Sequence, residues 1–204
     1  MKKIISNGVK KITADQVKKL RELTGASIME CREALENAGG DTEKAREYLR
    51  RKGKEKAQKK SGRETSEGIV AAYVHSNKKI GALVEIRCET DFVAKNSEFQ
   101  ELAYDIAMHV AAMSPKYVSL DEVSQKEKEE YENMAKEELA GEKKPAEIVE
   151  KIVAGKTTKF FSEQCLMSQK FIKNPDMTVE DLIKEKISKI GENIRVEKIV
   201  RFEI

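Results

Sequence analysis

The chain has 204 residues and no tryptophan, and it holds two histidines, three cysteines and three prolines. Each shortage removes a class of function. A His-dependent triad or a two-His metal site would have to use His75, His109 or both, and neither sits in a His-Glu-x-x-His motif. Cys31, Cys88 and Cys165 are odd in number and widely spaced, which argues against a disulfide framework and against a structural zinc site. No Gly-x-Gly-x-x-Gly or Gly-x-Ser-x-Gly occurs. Gly155-Lys156-Thr157 resembles the end of a phosphate loop, but Glu150 stands where the first glycine belongs. No apolar run approaches the ~18 residues of a membrane span. Met1-Lys2-Lys3 is followed only by Ile4-Ile5 before Ser6-Asn7-Gly8, so no secretory apolar region is present. The expectation is a cytoplasmic protein that is not an enzyme, with no metal, no cofactor and no membrane contact.

What the chain has in excess is charge of both signs: 39 Lys+Arg against 36 Asp+Glu, 37% of all residues, beside 39% hydrophobic. That apolar share suffices for a core. The apolar positions change period along the chain. Thr13 to about Lys52 reads as three short helices. A Thr13-x-x-Gln16 capping box precedes the stripe Val17, Leu20 and Leu23. After Thr24-Gly25-Ala26, a second box, Ser27-x-x-Glu30, precedes Ile28, Cys31, Leu35 and Ala38, and Asp41 caps a helix with Ala45, Tyr48 and Leu49. Between Arg50 and Arg63 stand eight Lys or Arg and one acid, Glu55. No aromatic interleaves them to stack on bases, so this segment (53–67) reads as a basic, partly helical linker, and nucleic-acid binding is not expected.

From residue 68 the period becomes two. Ile69–Val74, a turn at Ser76–Lys79, and Ile80, Ala82, Val84, Ile86 and Cys88 predict a β-hairpin. Ser97-x-x-Gln100 is read as the box opening a helix with Phe99, Leu102, Ala103, Ile106, Val110 and Met113 on one side. Asp121 to Glu150, with eleven acids and five bases, suggests a protruding helical hairpin over about 121–160, interrupted at Gly141–Pro145. A helix from Thr178 to about Ile190 and a strand carrying Ile194, Val196, Val200 and Phe202 on one side complete the chain. The fold class is α+β: a three-helix module over 13–52, then a core over 68–204 with a small three-stranded antiparallel sheet.

Leu20-Arg21-Glu22-Leu23-Thr24-Gly25-Ala26-Ser27-Ile28-Met29-Glu30-Cys31-Arg32-Glu33-Ala34-Leu35 resembles the N-terminal signature of the elongation factor Ts family. Glu89-Thr90-Asp91-Phe92-Val93-Ala94-Lys95-Asn96 and Ile106-Ala107-Met108-His109-Val110-Ala111-Ala112 are similar to its second and third. The similarity continues through Lys159-Phe160, Gln169-Lys170-Phe171-Ile172 and Ile190–Ile194. The resemblance implies a ubiquitin-associated-like first module. It also implies a guanine-nucleotide exchange factor that binds elongation factor Tu, promotes loss of GDP and its magnesium, and performs no bond chemistry. The other reading, resting on residues 13–52 and the basic linker alone, is a ubiquitin-associated-like adaptor with a basic RNA-binding arm; it leaves the second and third signatures unexplained.

By the same resemblance, Asp91, Phe92 and Val93 form the turn that presses on the partner, with Phe92 as a wedge; a core plug beneath the loop is the other reading of Phe92. His109 reaches the same partner surface, or packs at the edge of its stripe. Arg21, Ile28 and Met29 meet a partner helix. Ile28 shares the buried stripe with Cys31 and Leu35, whereas Met29 lies on the charged face. Ile172 adds a C-terminal contact, followed here by Lys173 where an apolar residue is common. The family's long members carry a second half-core that is missing here, which implies a homodimer built around the last strand. Some short members link subunits through a cysteine where Val200 stands, so the dimer is expected to be non-covalent.

Overall fold

The computed structural model describes residues 12–139 and 145–204. The opening Met1–Gly8 segment and the Gly141–Lys144 interruption therefore lie outside the described residues. The elements are α1 (Ala14–Thr24), α2 (Ile28–Asn37), α3 (Thr42–Lys60), β1 (Glu67–Val74), β2 (Ile80–Cys88), α4 (Asp91–Ala94), α5 (Ser97–Met113), α6 (Gln125–Leu139), α7 (Ala146–Gln164), β3 (Lys170–Phe171), β4 (Asn174–Thr178), α8 (Val179–Ile190) and β5 (Ile194–Glu203). They group into two compact units. Among the described residues, one holds the chain through Gly62 with Lys184–Glu192, and the other holds Arg63–Ile183 with Asn193–Ile204.

Local signals set the first unit. Thr13 and Ser27 form reciprocal capping boxes with Gln16 and Glu30. Gly25, at φ 66° in the left-handed region, ends α1 by donating its N–H to the Arg21 carbonyl. Leu20, Cys31, Ala34, Leu35 and Ala45 make the core, with Val17, Tyr48 and Leu49 packed around it. Leu23 and Ile28 depart from their expected buried stripes, since both are exposed. They flank the α1–α2 turn, beyond the reach of this small core.

Helix α3 runs to Lys60, past the expected end near Lys52. Lys52, Lys56 and Lys60 recur every four residues on one face and turn back onto their own unit. Lys52 binds Glu33 at 2.6 Å, Lys56 binds Glu30, and Lys60 donates to the Gly191 carbonyl. These three of the segment's eight cations thus bind within their own unit.

In the second unit, β1, β2 and β5 form an antiparallel sheet in the order β1-β2-β5. Helix α5 packs on one face, burying Phe99, Leu102, Ala103, Ile106 and Val110 together with Val84, Ile86, Ile194 and Val196. Asn96, rather than Ser97, is its N-cap and accepts the Glu98 N–H; Met113, expected on the buried stripe, is exposed. Arg201 Nε donates to the Ala111 carbonyl at 2.9 Å and satisfies one of the carbonyls left open at the other end of the helix. Asn193 is buried, donating its side chain to the Arg63 carbonyl while its N–H donates to Glu89. Helices α6 and α7 pack as the expected hairpin through Ala135, Leu139 and Val153. Gly155-Lys156-Thr157 lies within α7.

Candidate partner-binding site

The residues singled out from the sequence fall in both units. In the second unit, β2 ends at Cys88, whose thiol hydrogen-bonds the Thr90 carbonyl at 3.2 Å. Thr90 caps the single turn α4 by accepting the Val93 N–H. Val93 and Ala94 are buried, and α4 packs on β1, β2 and α5. This anchoring leaves Phe92 standing 79% exposed at the tip, which disposes of the core-plug reading. A large apolar side chain held in water by a capped turn has no role in this fold's own core. Val93 is placed as the anchor beneath that tip.

Asp91 is exposed beside Phe92 and pairs with Lys95 at 2.7 Å, one helical turn later. The Lys95 ammonium holds the Asp91 carboxyl below its usual range. In the sequence Lys95 stands out only as part of the motif, and the i,i+4 spacing of opposite charges is the signal that pairs it with Asp91.

His109 is fully buried, so its ring offers no surface to a partner. Its Nδ1 accepts the N–H of Ile172 at 3.2 Å, and Nε2 lies 3.0 Å from Gln169 Oε1. Burial pushes its pKa down, and the Gln169 hydrogen bond opposes that shift. Ile172, in the turn between β3 and β4, is 43% exposed. The structure thus joins His109 to Ile172 as support to tip. Both short strands escaped sequence reading, because two and five residues give no usable period.

In the first unit, Arg21 lies in the last turn of α1 and is exposed. Ile28 and Met29, 57% and 72% exposed, open α2, and exposed Leu23 stands across the turn at the end of α1. Leu23 was missed as a surface residue because helical spacing assigned it inward. The arrangement offers an apolar group with a cation near it, suited to an amphipathic helix of another protein.

A third feature is the sheet face opposite α5. Val70, Val74, Leu83, Val200 and Phe202 are all exposed. Pairing sets Leu83 between Ala72 and Val200, and Gly81 between Val74 and Phe202, so these side chains form one apolar field.

The family model for elongation factor TS matches residues 2–204. An elongation factor Ts of Thermosipho melanesiensis is 55% identical over 193 residues, covering 95% of this chain and 98% of its own length. That of Carboxydothermus hydrogenoformans is 54% identical, covering 95% and 89%. That of Pseudothermotoga lettingae is 54% identical, covering 95% and 98%.

Proposed function

The chain belongs to the elongation factor Ts family of translation elongation factors, and from that premise we propose that it is the guanine-nucleotide exchange factor of elongation factor Tu. Phe92 is the observation that carries the reading: an exposed aromatic fixed by a capped turn whose Val93 and Ala94 are buried. Pressed into the partner near its magnesium and nucleotide, such a wedge favours a partner conformation that holds GDP poorly. Asp91 beside it brings a carboxylate where the partner holds a cation.

The Arg21, Ile28 and Met29 surface anchors a partner helix away from the nucleotide, and Ile172 adds a further contact. The chain breaks no covalent bond in this role. Linkage requires that whatever factor it takes from the partner's affinity for GDP, GDP takes equally from its own affinity for the partner. The exposed sheet face and the position of β5 at the sheet edge among the described residues support a non-covalent homodimer, in which a second copy covers the apolar field.

Release of labelled GDP from elongation factor Tu tests the reading. Catalytic amounts of the chain should accelerate release, and an unchanged release rate would refute the exchange role.

A further inference from the structure

The turn between β3 and β4 is held by α5 through links that differ in kind. Lys173 Nζ donates to Asp105 Oδ1 at 2.6 Å. One helical turn on, His109 Nδ1 accepts the Ile172 N–H at 3.2 Å. The buried Phe171 ring lies beside the His109 ring, with centroids 6.0 Å apart. Because an amide N–H can only donate, Nδ1 must be the unprotonated nitrogen and Nε2 must carry the proton. Nε2–H therefore donates to Gln169 Oε1. That orients the Gln169 amide, whose Nε2 donates to the Glu163 carbonyl at 2.8 Å, while the main-chain carbonyl of Gln169 accepts the Val179 N–H at 3.0 Å. One neutral tautomer satisfies the whole chain of bonds.

A β3 strand of two residues and a β4 strand of five form a ribbon too short to hold its own geometry. The orientation of its turn is therefore set from α5. What the clamp leaves outside is Ile172, whose apolar side chain remains in water between buried Phe171 and ion-paired Lys173.

We infer that Asp105 and His109 are positioning residues for partner capture: they clamp the β3–β4 turn to α5, and the clamp fixes Ile172 as an apolar tip that enters a recess of the partner protein. This rests on the exchange-factor reading, which supplies the partner. It also gives Lys173 a use, since its ammonium completes the clamp beside the tip.

The test uses the full chain and GDP release from elongation factor Tu, with Ile172→Ala, His109→Gln, His109→Asn and Asp105→Asn. An Asn side chain reaches about as far as Nδ1 and can accept the Ile172 N–H, whereas a Gln side chain reaches toward Nε2. Ile172→Ala and His109→Gln should each raise the half-saturating concentration about tenfold, the ratio that ~1.4 kcal/mol produces. The rate at saturation should stay nearly constant. His109→Asn should recover most of the loss, and Asp105→Asn, at a site nearer the surface, should cost about threefold. In the wild-type chain the ring nitrogen shifts of His109 should report the Nε2–H tautomer.

Folded Ile172→Ala with unchanged half-saturation overturns the tip, and an Nδ1–H tautomer overturns the clamp. A wild-type chain that fails to accelerate GDP release overturns the exchange-factor reading and the tip with it. Normal wild-type exchange with indifferent variants overturns the tip alone.

Discussion

Val196 and Val200 stand four residues apart on β5 and face opposite sides of the sheet. In a regular strand they would share a side. The pairing of Ile86 with Val196 and of Glu85 with Lys198 leaves Glu197 as an extra residue, a β-bulge that reverses the alternation. Val196 is consequently buried on the α5 side, and Val200 joins Leu83 and Ala72 on the uncovered face. Strand β5 thus serves two apolar surfaces.

The first expected outcome concerns oligomeric state. Light scattering on an eluting peak should give twice the 23.1 kDa of one chain, with or without reductant. Phe202→Lys should return the mass to one chain while helical circular dichroism stays intact, because Phe202 is exposed in the single chain. A wild-type mass of one chain at micromolar concentration would refute the dimer.

The bulge also marks the limit of what was legible in the sequence. Periodicity placed the hairpin, α5, α8 and the last strand, because each has a core face long enough to impose its period. It set Ile194, Val196, Val200 and Phe202 on a single side, since a one-residue insertion leaves no trace in composition. It likewise assigned Leu23 and Ile28 inward, although a three-helix module is too small to cover the ends of its stripes. At the site, the Asp91–Phe92 turn was found through its motif, while the buried roles of Val93 and His109 depend on contacts with distant segments. His109 meets Gln169 and Ile172, 60 and 63 residues away.

Phe92→Ala should largely abolish accelerated GDP release while leaving the circular dichroism spectrum and thermal midpoint unchanged, since the ring is exposed. A central aromatic contact is worth ~2 kcal/mol or more, at least about 25-fold in an equilibrium constant. Full exchange by this variant would remove the wedge from the mechanism.

Arg21→Ala and Met29→Ala should separate affinity from turnover. Both positions are exposed on the helical module, so each substitution should raise the half-saturating concentration several-fold and spare the rate at saturation. Loss of the saturated rate with unchanged affinity would contradict an anchoring role.

Gly68 should tolerate no side chain. A Cβ there would lie 2.3 Å from the Ile86 carbonyl oxygen and 2.8 Å from Arg87 Cα, both backbone atoms of the central strand. The clash can be relieved only by moving β1 from β2, so Gly68→Ala should cost about 1–3 kcal/mol. Urea unfolding should show a lower midpoint at unchanged slope.

Acid should weaken the helical module through Glu30. Both of its carboxylate oxygens are engaged: Oε1 by Lys56 of α3, and Oε2 by the N–H and hydroxyl of Ser27 at 3.1 and 2.9 Å. The Lys56 hydrogen bond, against the opposing pull of burial and with help from Ser27, lowers the Glu30 pKa to about 2 from 4.5. A carboxylate depressed on folding contributes stability that is complete above the unfolded value. It is lost as pH falls from about 4.5 to 2, because over that range the unfolded chain takes up a proton that the folded chain refuses. Lys56 and Glu30 keep 40% and 25% of their side-chain surface, so solvent screening holds the loss to about 1–2 kcal/mol. Glu30→Gln should therefore be less stable than wild type at pH 6 and should show a flatter decline toward pH 2. Urea midpoints across that range provide the measurement, and a variant that declines as steeply as wild type would show that Glu30 does not carry the acid response.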